Sequence, residues 1–363
     1  MKVGIVGAGT MGAAIAALFA NADYDVVLVD VDEEALRRAE NRHRGECLQE
    51  LEMAGLRKRD EIVSKVKYTT DLREIENCEF VVEAIKERLE DKIDLFTRIE
   101  KIVAGKCILA TNTSSFMPSE IAEHLENPGR LTLFHFSNPP ILMPLVEVGG
   151  ERVSDDVVSK TVEIAKSLGK EPVVIKKECR GHILNRMLGA AGAGVSYSLL
   201  YYRPEQIDAA LKNLGMPLGF FEMLDLIGLD VVLDVLDSFR EVYGRRFEGF
   251  AITRFFIEKM IEWGKLGKKS GEGFYRWVDG KAEIPEGEAA DVTPLVAAIV
   301  NEALRIVKDG IADRETVNKV YRLATNAPFG ILDVAEMIGF DTISKVLDEV
   351  HGKTGLEVYA VDI

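Results

Sequence analysis

The sequence has few cysteines, no long apolar run and no excess of basic residues, and each absence excludes a class of protein. Its four cysteines are far apart and form no Cys-x-x-Cys pair: Cys47, Cys78, Cys107 and Cys179. Zinc sites and disulfide frameworks need cysteines at close spacings. We therefore expect a reducing compartment and no metal site.

The apolar segments are too short to cross a bilayer. Charged residues or glycines interrupt them well before about 18 residues, the length that a membrane-spanning helix requires. A strand-like segment already begins at Lys2, which leaves no room for a signal peptide. The sequence therefore predicts a cytoplasmic protein with no membrane partner.

Acidic residues outnumber basic ones by 60 to 45, which gives a net charge of −15. Proteins that bind nucleic acid need a dominant basic surface to displace counterions, so we exclude this class as well. The charge remains compatible with an anionic small molecule, because backbone N–H groups at the start of a helix can hold one.

A glycine-rich turn joins the first apolar strand to the first apolar helix. The motif GAGTMG at 7–12 follows residues 2–6 and precedes residues 13–22. Its first glycine permits a tight turn, its second lets the backbone approach a pyrophosphate, and its third allows close packing of helix and strand. The residues predicted to contact a dinucleotide are Gly7, Gly9, Thr10, Met11 and Gly12.

An acidic residue ends the second predicted strand. Asp30 follows the apolar residues 26–29 and lies 18 positions after Gly12. A carboxylate at this position accepts hydrogen bonds from an adenosine ribose and repels a 2′-phosphate. Because Val31 follows it and no basic residue is adjacent, we predict NAD rather than NADP as the cofactor.

Strand-like and helix-like segments alternate through the first 110 residues, which predicts a parallel, doubly wound sheet. Ligands of such sheets bind at the carboxyl ends of the strands. We expect Glu83 and Asn112 at this edge as further cofactor contacts. Ser114 follows in a polar run, and its hydroxyl suits a substrate oxygen.

The segment 33–67 is longer than a simple crossover between two strands needs. Its pattern predicts two charged helices separated near Gly55, and a basic run formed by Arg57, Lys58 and Arg59 follows that glycine. Such a run is typical of a solvated loop, and it also suits a polyphosphate substrate. We retain it as a candidate substrate contact.

His135 and Glu147 lie on either side of a proline-containing loop. Histidine exchanges a proton near neutral pH, and a nearby carboxylate fixes its tautomer and stabilises the imidazolium. The two residues are 12 positions apart with prolines between them, so they are not neighbours on one helix. They meet only if two strand ends flank the loop.

Seven sequence motifs occur in order along essentially the whole chain. They are GAGTMG with Asp30, FVVEAI at 80–85, ATNTSS at 110–115, HFSNPPILMPLVEV at 135–148, GHILNR at 181–186, GMPLGFFEMLDLIGLD at 215–230 and GKKSGEGFYRW at 267–277. This set resembles the L-3-hydroxyacyl-CoA dehydrogenase family, which oxidises the 3-hydroxyl of a fatty acyl-CoA to a ketone with NAD.

The resemblance implies a role for four residues. His135 is similar to the family's general base and Glu147 to the carboxylate that orients it. Ser114 matches the hydrogen-bond partner of the substrate oxygen, and Asn185 matches the active-site asparagine. An acyl-CoA is the implied substrate.

Two departures from the family pattern leave the acyl preference open. Ser137 replaces the second aromatic residue of His-Phe-Phe-Asn-Pro. Arg180, Gly181 and His182 stand where the family commonly has Pro-Gly-Phe. His182 is thus a second candidate base, which we rank below His135 because it lacks a carboxylate at the matching spacing.

Helices dominate after residue 178 and contain an internal repeat. The segment 216–230 recurs at 327–341 with an offset of 111, while Asn185 resembles Asn301 at an offset of 116, which predicts extra residues in the first copy. Family members with one such unit commonly dimerise through it, so this chain resembles the tandem arrangement seen in multifunctional fatty-acid oxidation enzymes. We therefore expect a monomer or dimer in which the second copy replaces a partner subunit and is structural.

Together these patterns predict a Rossmann-type doubly wound α/β domain followed by an all-α domain of two repeated units. The predicted boundaries are 1–178 for the NAD-binding domain with its insertion at 33–67, 179–278 for the first repeat, 279–292 for a linker and 293–363 for the second repeat. The resemblance implies NAD-dependent oxidation of an L-3-hydroxyacyl-CoA to a 3-oxoacyl-CoA, in fatty-acid β-oxidation or in short-chain acyl-CoA metabolism. Two alternatives are a dehydrogenase of a CoA-free 3-hydroxy acid, of the gulonate or carnitine type, and a non-catalytic protein of the lens-crystallin type.

Overall fold

The computed structural model describes residues 1–244, 246–247 and 251–361. The chain divides into two compact units, the first spanning Met1–His182 and the second beginning at Ile183. The predicted boundary after residue 178 lies within a few residues of this division.

One mixed sheet forms the first unit. Its strands are β1 Lys2–Val6, β2 Asp25–Val29, β3 Val66–Thr69, β4 Phe80–Glu83, β5 Ile108–Thr111, β6 Leu131–Phe136, β7 Leu145–Gly149 and β8 Glu171–Ile175. Their order across the sheet is β3-β2-β1-β4-β5-β6-β7-β8. The first six strands are parallel, whereas β7 is antiparallel to β6 and β8 runs with β7. The doubly wound α/β class is confirmed, although the last two strands reverse direction.

Both faces of the central strands of this sheet are buried. In β2, Val26 and Leu28 belong to one hydrophobic cluster, while Val27 and Val29 belong to another. Two buried faces explain why the strands read as continuous apolar runs rather than alternating ones. The helices of this unit are α1 Thr10–Asn21, α2 Glu33–Arg44, α3 Glu46–Met53, α4 Leu89–Ile102, α5 Pro118–Ala122 and α6 Asp155–Ser167.

The insertion contains the two expected helices, but the break between them is at Gly45 rather than near Gly55. Gly45 has φ −137° and ψ −84°, which interrupts the helical hydrogen bonding between α2 and α3. Gly55 instead follows the end of α3 with φ +66°, a conformation that favours glycine. The sequence pattern detected the helices but assigned the break to the wrong glycine.

The described part of the second unit is predominantly helical, as predicted. Its helices are α7 His182–Ser198, which begins at the last residue of the first unit, α8 Pro204–Asn213, α9 Phe220–Ile227, α10 Leu229–Tyr243, α11 Ala251–Glu262, α12 Thr293–Lys308, α13 Arg314–Thr325, α14 Ile331–Ile338 and α15 Phe340–Thr354.

The repeat keeps a nearly constant spacing throughout. α8, α9 and α10 recur as α13, α14 and α15, whose first residues lie 110 or 111 positions later. α7 and α12 keep the same spacing and contain 17 and 16 residues. These lengths leave no room for the extra residues implied by pairing Asn185 with Asn301, so that alignment was wrong.

Both copies use the same contact between a glycine and a polar side chain. A Cβ atom on Gly219 would lie 2.1 Å from Cγ of Asp208, and one on Gly330 would lie 2.3 Å from Cγ of Asn318. Asp208 accepts a hydrogen bond from the N–H of Phe221, at the start of α9, and Asn318 accepts the equivalent bond at the start of α14. Glycine is therefore required by packing in the Pro-x-Gly segment of each copy.

A β-hairpin occupies the start of the predicted linker. β9 Arg276–Val278 and β10 Lys281–Glu283 pair antiparallel. Asp279 and Gly280, the two residues between them, have φ +48° and +78°. Asp-Gly is a strong signal for a two-residue hairpin turn, and the linker prediction overlooked it.

Two buried aspartates hold the GMPLG and GEGFYRW motifs together. Asp225 accepts hydrogen bonds from the backbone N–H groups of Phe274 and Tyr275 and from Nε1 of Trp277. Asp208 accepts one from the hydroxyl of Tyr275 at 2.9 Å. Burial raises the pKa of Asp208 to about 6, although the hydrogen bonds that it accepts oppose this shift.

The Asp208→Asn variant tests the energetic consequence of this burial. Because the pKa of Asp208 is raised in the folded state, its contribution to stability is complete below about pH 4 and is lost as the pH rises through about 6. A shift of about two units corresponds to roughly 3 kcal/mol. Since asparagine does not titrate, we expect the variant to gain about 3 kcal/mol relative to the wild type between pH 4 and pH 7, measured by denaturant unfolding.

The Asp313→Asn variant is the matched control for this measurement. Asp313 is exposed, and hydrogen bonds from Thr316 lower its pKa, so its relative stability should change with pH in the opposite direction. If the free energies of unfolding of the wild type and Asp208→Asn changed with pH in parallel, the effect attributed to burial would be contradicted.

The described residues give no sign of a membrane span or a metal site. None of their helices combines the length and hydrophobicity that a bilayer crossing demands. No group of three or more metal-ligating side chains occurs in the same residues. All four cysteines are buried and unbridged.

Candidate active site

The glycine turn leaves open space at the start of α1. A Cβ atom on Gly7 would lie 2.4 Å from the carbonyl oxygen of Ala84, and one on Gly12 would lie 1.8 Å from that of Gly7. Around Gly9, by contrast, no heavy atom other than those of its chain neighbours lies within 4 Å of such a Cβ. Gly9 is the N-cap of α1, whose first turn has no acidic residue. This space fits an anion held by the helix N-terminus, as a dinucleotide pyrophosphate would be.

The carboxylate of Asp30 is oriented by the neighbouring backbone. Its Oδ2 accepts a hydrogen bond from the N–H of Ala8 at 2.7 Å, and its Oδ1 accepts one from Asp32 at 2.9 Å. Asp30 follows the end of β2, and Ala8 lies within the glycine turn. The predicted ribose contact and the predicted pyrophosphate contact are therefore parts of one hydrogen-bonded structure.

His135 and Glu147 face each other across two antiparallel strands. They are paired residues in the register of β6 and β7, which explains how they meet despite their separation in sequence. Nδ1 of His135 and Oε2 of Glu147 are 2.8 Å apart, and both residues are buried. A carboxylate acceptor places the proton on Nδ1 of the neutral imidazole, so the lone pair is on Nε2 and available to accept a proton.

Asn112 joins two strands at the same edge. Its Oδ1 accepts a hydrogen bond of 3.0 Å from the N–H of Phe136, the residue after His135. Because β5 and β6 are parallel, this bond connects their carboxyl ends. The predicted ligand-facing edge therefore contains Asn112 and His135 together.

Glu83 does not fit the predicted cofactor contact. Its side chain is fully buried and accepts hydrogen bonds from Nζ of Lys92 at 2.6 Å and from the hydroxyl of Thr111 at 2.7 Å. Burial alone would lower the pKa of Lys92, but Glu83 and Glu87 outweigh it and raise that pKa. Glu83 therefore forms a buried ion pair with Lys92, which lies in α4, the next helix.

Glu87 is a site residue that the sequence interpretation missed. Its carboxylate accepts hydrogen bonds from the N–H groups of Ser114 and Ser115, both at 2.9 Å, and from the hydroxyl of Thr113. Burial raises the pKa of Glu87, but Lys92 and these donors outweigh it, so the net shift is downward. The charged carboxylate holds the turn at 113–115. Its position just after β4 was the signal available in the sequence.

Asn185 lies in the first turn of α7, within the second unit. Its assignment to the active site remains a prediction from the resemblance.

The basic run after α3 lies at the opposite edge of the sheet. Arg59 pairs with Asp23, which precedes β2, and the N–H of Lys58 donates to Asn21 at the end of α1. α1 starts at the ligand edge and its 12 residues extend about 18 Å away from it. Arg57 pairs with Glu52 at 2.9 Å. We therefore do not retain this run as a substrate contact.

Two family models together match nearly the whole chain. The 3-hydroxyacyl-CoA dehydrogenase NAD binding domain matches residues 2–179, and the C-terminal domain of the same family matches 181–277 and again 292–362. The chain belongs to the 3-hydroxyacyl-CoA dehydrogenase family. It is an NAD-dependent oxidoreductase of 3-hydroxyacyl-CoA, as the motifs predicted.

Individual relatives agree with this membership. A probable 3-hydroxybutyryl-CoA dehydrogenase of Deinococcus radiodurans is 35% identical over 76% of this chain and all of that protein. A fatty acid oxidation complex subunit alpha of Vibrio parahaemolyticus is 31% identical, and the match covers 85% of this chain but 46% of that subunit. The crystal structure of 3-hydroxybutyryl-CoA dehydrogenase from Escherichia coli has a TM-score of 0.84 at 26% identity and covers 99% of this chain and 96% of that one.

Proposed function

We propose that this dehydrogenase oxidises short 3-hydroxyacyl-CoA substrates with His135 as the general base and Glu147 as the residue that orients it. The observation that carries the proposal is the 2.8 Å contact between Nδ1 of His135 and Glu147. It leaves Nε2 as the basic atom, at the sheet edge that also holds the glycine turn. A short acyl chain agrees with two relatives, one named a 3-hydroxybutyryl-CoA dehydrogenase and the other a probable 3-hydroxybutyryl-CoA dehydrogenase.

The chain's own groups divide the reaction between proton transfer and positioning. Nε2 of His135 takes the hydroxyl proton, which requires that oxygen within about 3 Å. Glu147 then faces the imidazolium and stabilises its charge. The hydride acceptor for C3 would be NAD, held at the glycine turn and Asp30. Release of the proton to His135 as the hydride leaves turns the hydroxyl into a ketone.

Ser114 and Asn185 are assigned to the substrate oxygens. The Ser114 hydroxyl hydrogen-bonds the oxygen that becomes the ketone, and Glu87 fixes its backbone. Asn185 supplies the second polar contact, by resemblance to the family. The substrate is thus bound in one geometry in which the hydroxyl faces His135.

We also propose that the second helical copy serves as an internal partner for the first. Nη2 of Arg186, in the first copy, lies 2.6 Å from Oε1 of Glu302, in the second, and both side chains are buried. Breaking a buried ion pair leaves an uncompensated charge and is strongly unfavourable. The two copies are therefore expected to stay together within one chain, which agrees with a monomer.

Reduction of acetoacetyl-CoA by NADH, followed by absorbance, tests the proposed substrate class. We expect turnover with acetoacetyl-CoA and none when NAD is offered with a free 3-hydroxy acid such as gulonate or carnitine. Turnover of the free acid without turnover of any acyl-CoA would overturn the proposal.

The Asp30→Ser variant tests the cofactor preference. Removing the carboxylate removes repulsion of a 2′-phosphate, and serine can still accept a hydrogen bond from the backbone. We expect the preference for NADH over NADPH, measured as a ratio of kcat/KM values, to fall at least tenfold. The exposed Asp23→Ser variant, at the opposite sheet edge, should leave that ratio unchanged. A wild type that uses NADPH equally well would contradict the role of Asp30.

A further inference from the structure

A second imidazole lies beside the proposed base. The rings of His182 and His135 are 5.2 Å apart between centroids and are inclined at 49°. His182 is 1% exposed, so this contact is excluded from bulk water. His182 has no role in the proton transfer proposed for His135.

The backbone of His182 has an unusual conformation. Its φ of +54° lies in the left-handed region, which only a few per cent of non-glycine residues adopt, histidine more often than most. Its N–H donates to the carbonyl of Cys179, and the N–H of Gly181 donates to the carbonyl of Ser115. Such conformations persist where the surroundings enforce them, often next to an active site.

The imidazole itself binds the turn that carries Ser114. Nε2 of His182 lies 3.0 Å from the carbonyl oxygen of Thr113, so Nε2 carries the proton and donates it. The same turn is held on its other side by Glu87, through the N–H groups of Ser114 and Ser115. His182 therefore contacts both the proposed base and the backbone of Thr113, the residue that precedes Ser114.

His182 is well suited to remain neutral in this position. Burial has the largest influence on its pKa and lowers it. Glu147 opposes this shift, His135 adds to it, and Thr113 and Glu87 oppose it, with a net downward result. A neutral ring keeps its donor on Nε2 and does not compete with His135 for the substrate proton.

We propose that His182 is a positioning residue for the dehydrogenase reaction, fixing the spacing between the His135 ring and the turn at 113–115 that presents Ser114. This inference rests on the proposed roles of His135 and Ser114. A displacement of about 1 Å between a base and a substrate contact can lower the rate about a hundredfold. Because His182 contacts the His135 ring and hydrogen-bonds the turn at 113–115, it fixes the distance between them.

Two substitutions separate the hydrogen bond from the packing. His182→Phe keeps a planar ring against His135 but removes the donor to Thr113. His182→Gln replaces the ring with an amide whose Nε2 donates from a similar position and does not titrate. We expect kcat for acetoacetyl-CoA reduction to fall at least tenfold in His182→Phe, with KM changed less than threefold, and to stay within threefold of the wild type in His182→Gln.

The deuterium isotope effect on kcat, measured with NADH deuterated at the transferred position, shows whether the chemical step is affected. It should rise in His182→Phe, because poorer alignment makes hydride transfer limit turnover. Wild-type kcat in His182→Phe, or equal losses in both variants with an unchanged isotope effect, would overturn the positioning role. A wild type that does not reduce acetoacetyl-CoA at all would instead refute the proposed function.

Discussion

Replacing His135 with asparagine is expected to lower kcat for acetoacetyl-CoA reduction by roughly 10²- to 10⁴-fold, the usual contribution of a positioned acid or base. The amide nitrogen of asparagine occupies nearly the position of Nδ1, so it still donates to Glu147 and leaves no buried carboxylate unpaired. The variant lacks any group at the position of Nε2 that can give or take a proton. Steady-state kinetics at saturating NADH measure the loss.

His43 provides the matched control for this substitution. It is a fully buried histidine in the same unit, where Nδ1 is bonded to the hydroxyl of Tyr68 and Nε2 to the carbonyl of Ala13. Burial lowers its pKa to about 4, so it is neutral at the pH of the assay. His43→Gln should lower the melting temperature without a comparable loss of kcat. A His135→Asn variant within threefold of wild-type kcat would refute the proposed base.

The contact between His135 and Glu147 was predictable in outline. A histidine and a carboxylate on either side of a proline-containing loop suggested two strand ends, and the structure places them opposite each other in β6 and β7. The sequence did not give the direction of β7, because strands buried on both faces lack the alternation that would indicate their pairing. The reversal of β7 is what brings Glu147 level with His135.

Glu83 and Glu87 show where the local pattern was insufficient. Glu83 ends a strand at the ligand edge, which made it the natural choice. Its carboxylate is instead paired with Lys92, a residue of the next helix, and Glu87 is the acid that reaches the Ser114 turn. The choice between two acids four residues apart depends on tertiary partners that strand and helix periodicity do not encode.

The basic run at 57–59 and the helical repeat also differ in how much of each could be predicted from the sequence. The charges of Arg57 and Arg59 were visible in the sequence, but their acidic partners Glu52 and Asp23 were recognised only in the folded unit. The repeat was detectable because its glycines have a local packing role, as Gly219 and Gly330 show. In these two cases the sterically required glycines were visible as a sequence repeat, whereas the partners of the basic residues were not.

Replacing Gly9 with alanine should weaken NADH binding by roughly 10- to 100-fold, because the pyrophosphate would lose one charge-assisted hydrogen bond worth about 1.5 to 3 kcal/mol. Its φ of −68° and ψ of −170° suit alanine, and nothing in the protein lies within 4 Å of the added methyl group. Any loss of affinity is therefore caused by the methyl group occupying space that the cofactor needs. Titration of NADH fluorescence measures it.

Gly105 offers a control with the same steric freedom at the other edge of the sheet. A Cβ atom there also meets nothing within 4 Å, and the residue lies between α4 and the amino end of β5. Gly9→Ala and Gly105→Ala should therefore have similar melting temperatures, while only Gly9→Ala loses affinity for NADH. Equal NADH affinity in the two variants would show that the open space at Gly9 is not where the cofactor binds, and a loss of stability in Gly9→Ala alone would show that the glycine serves folding instead.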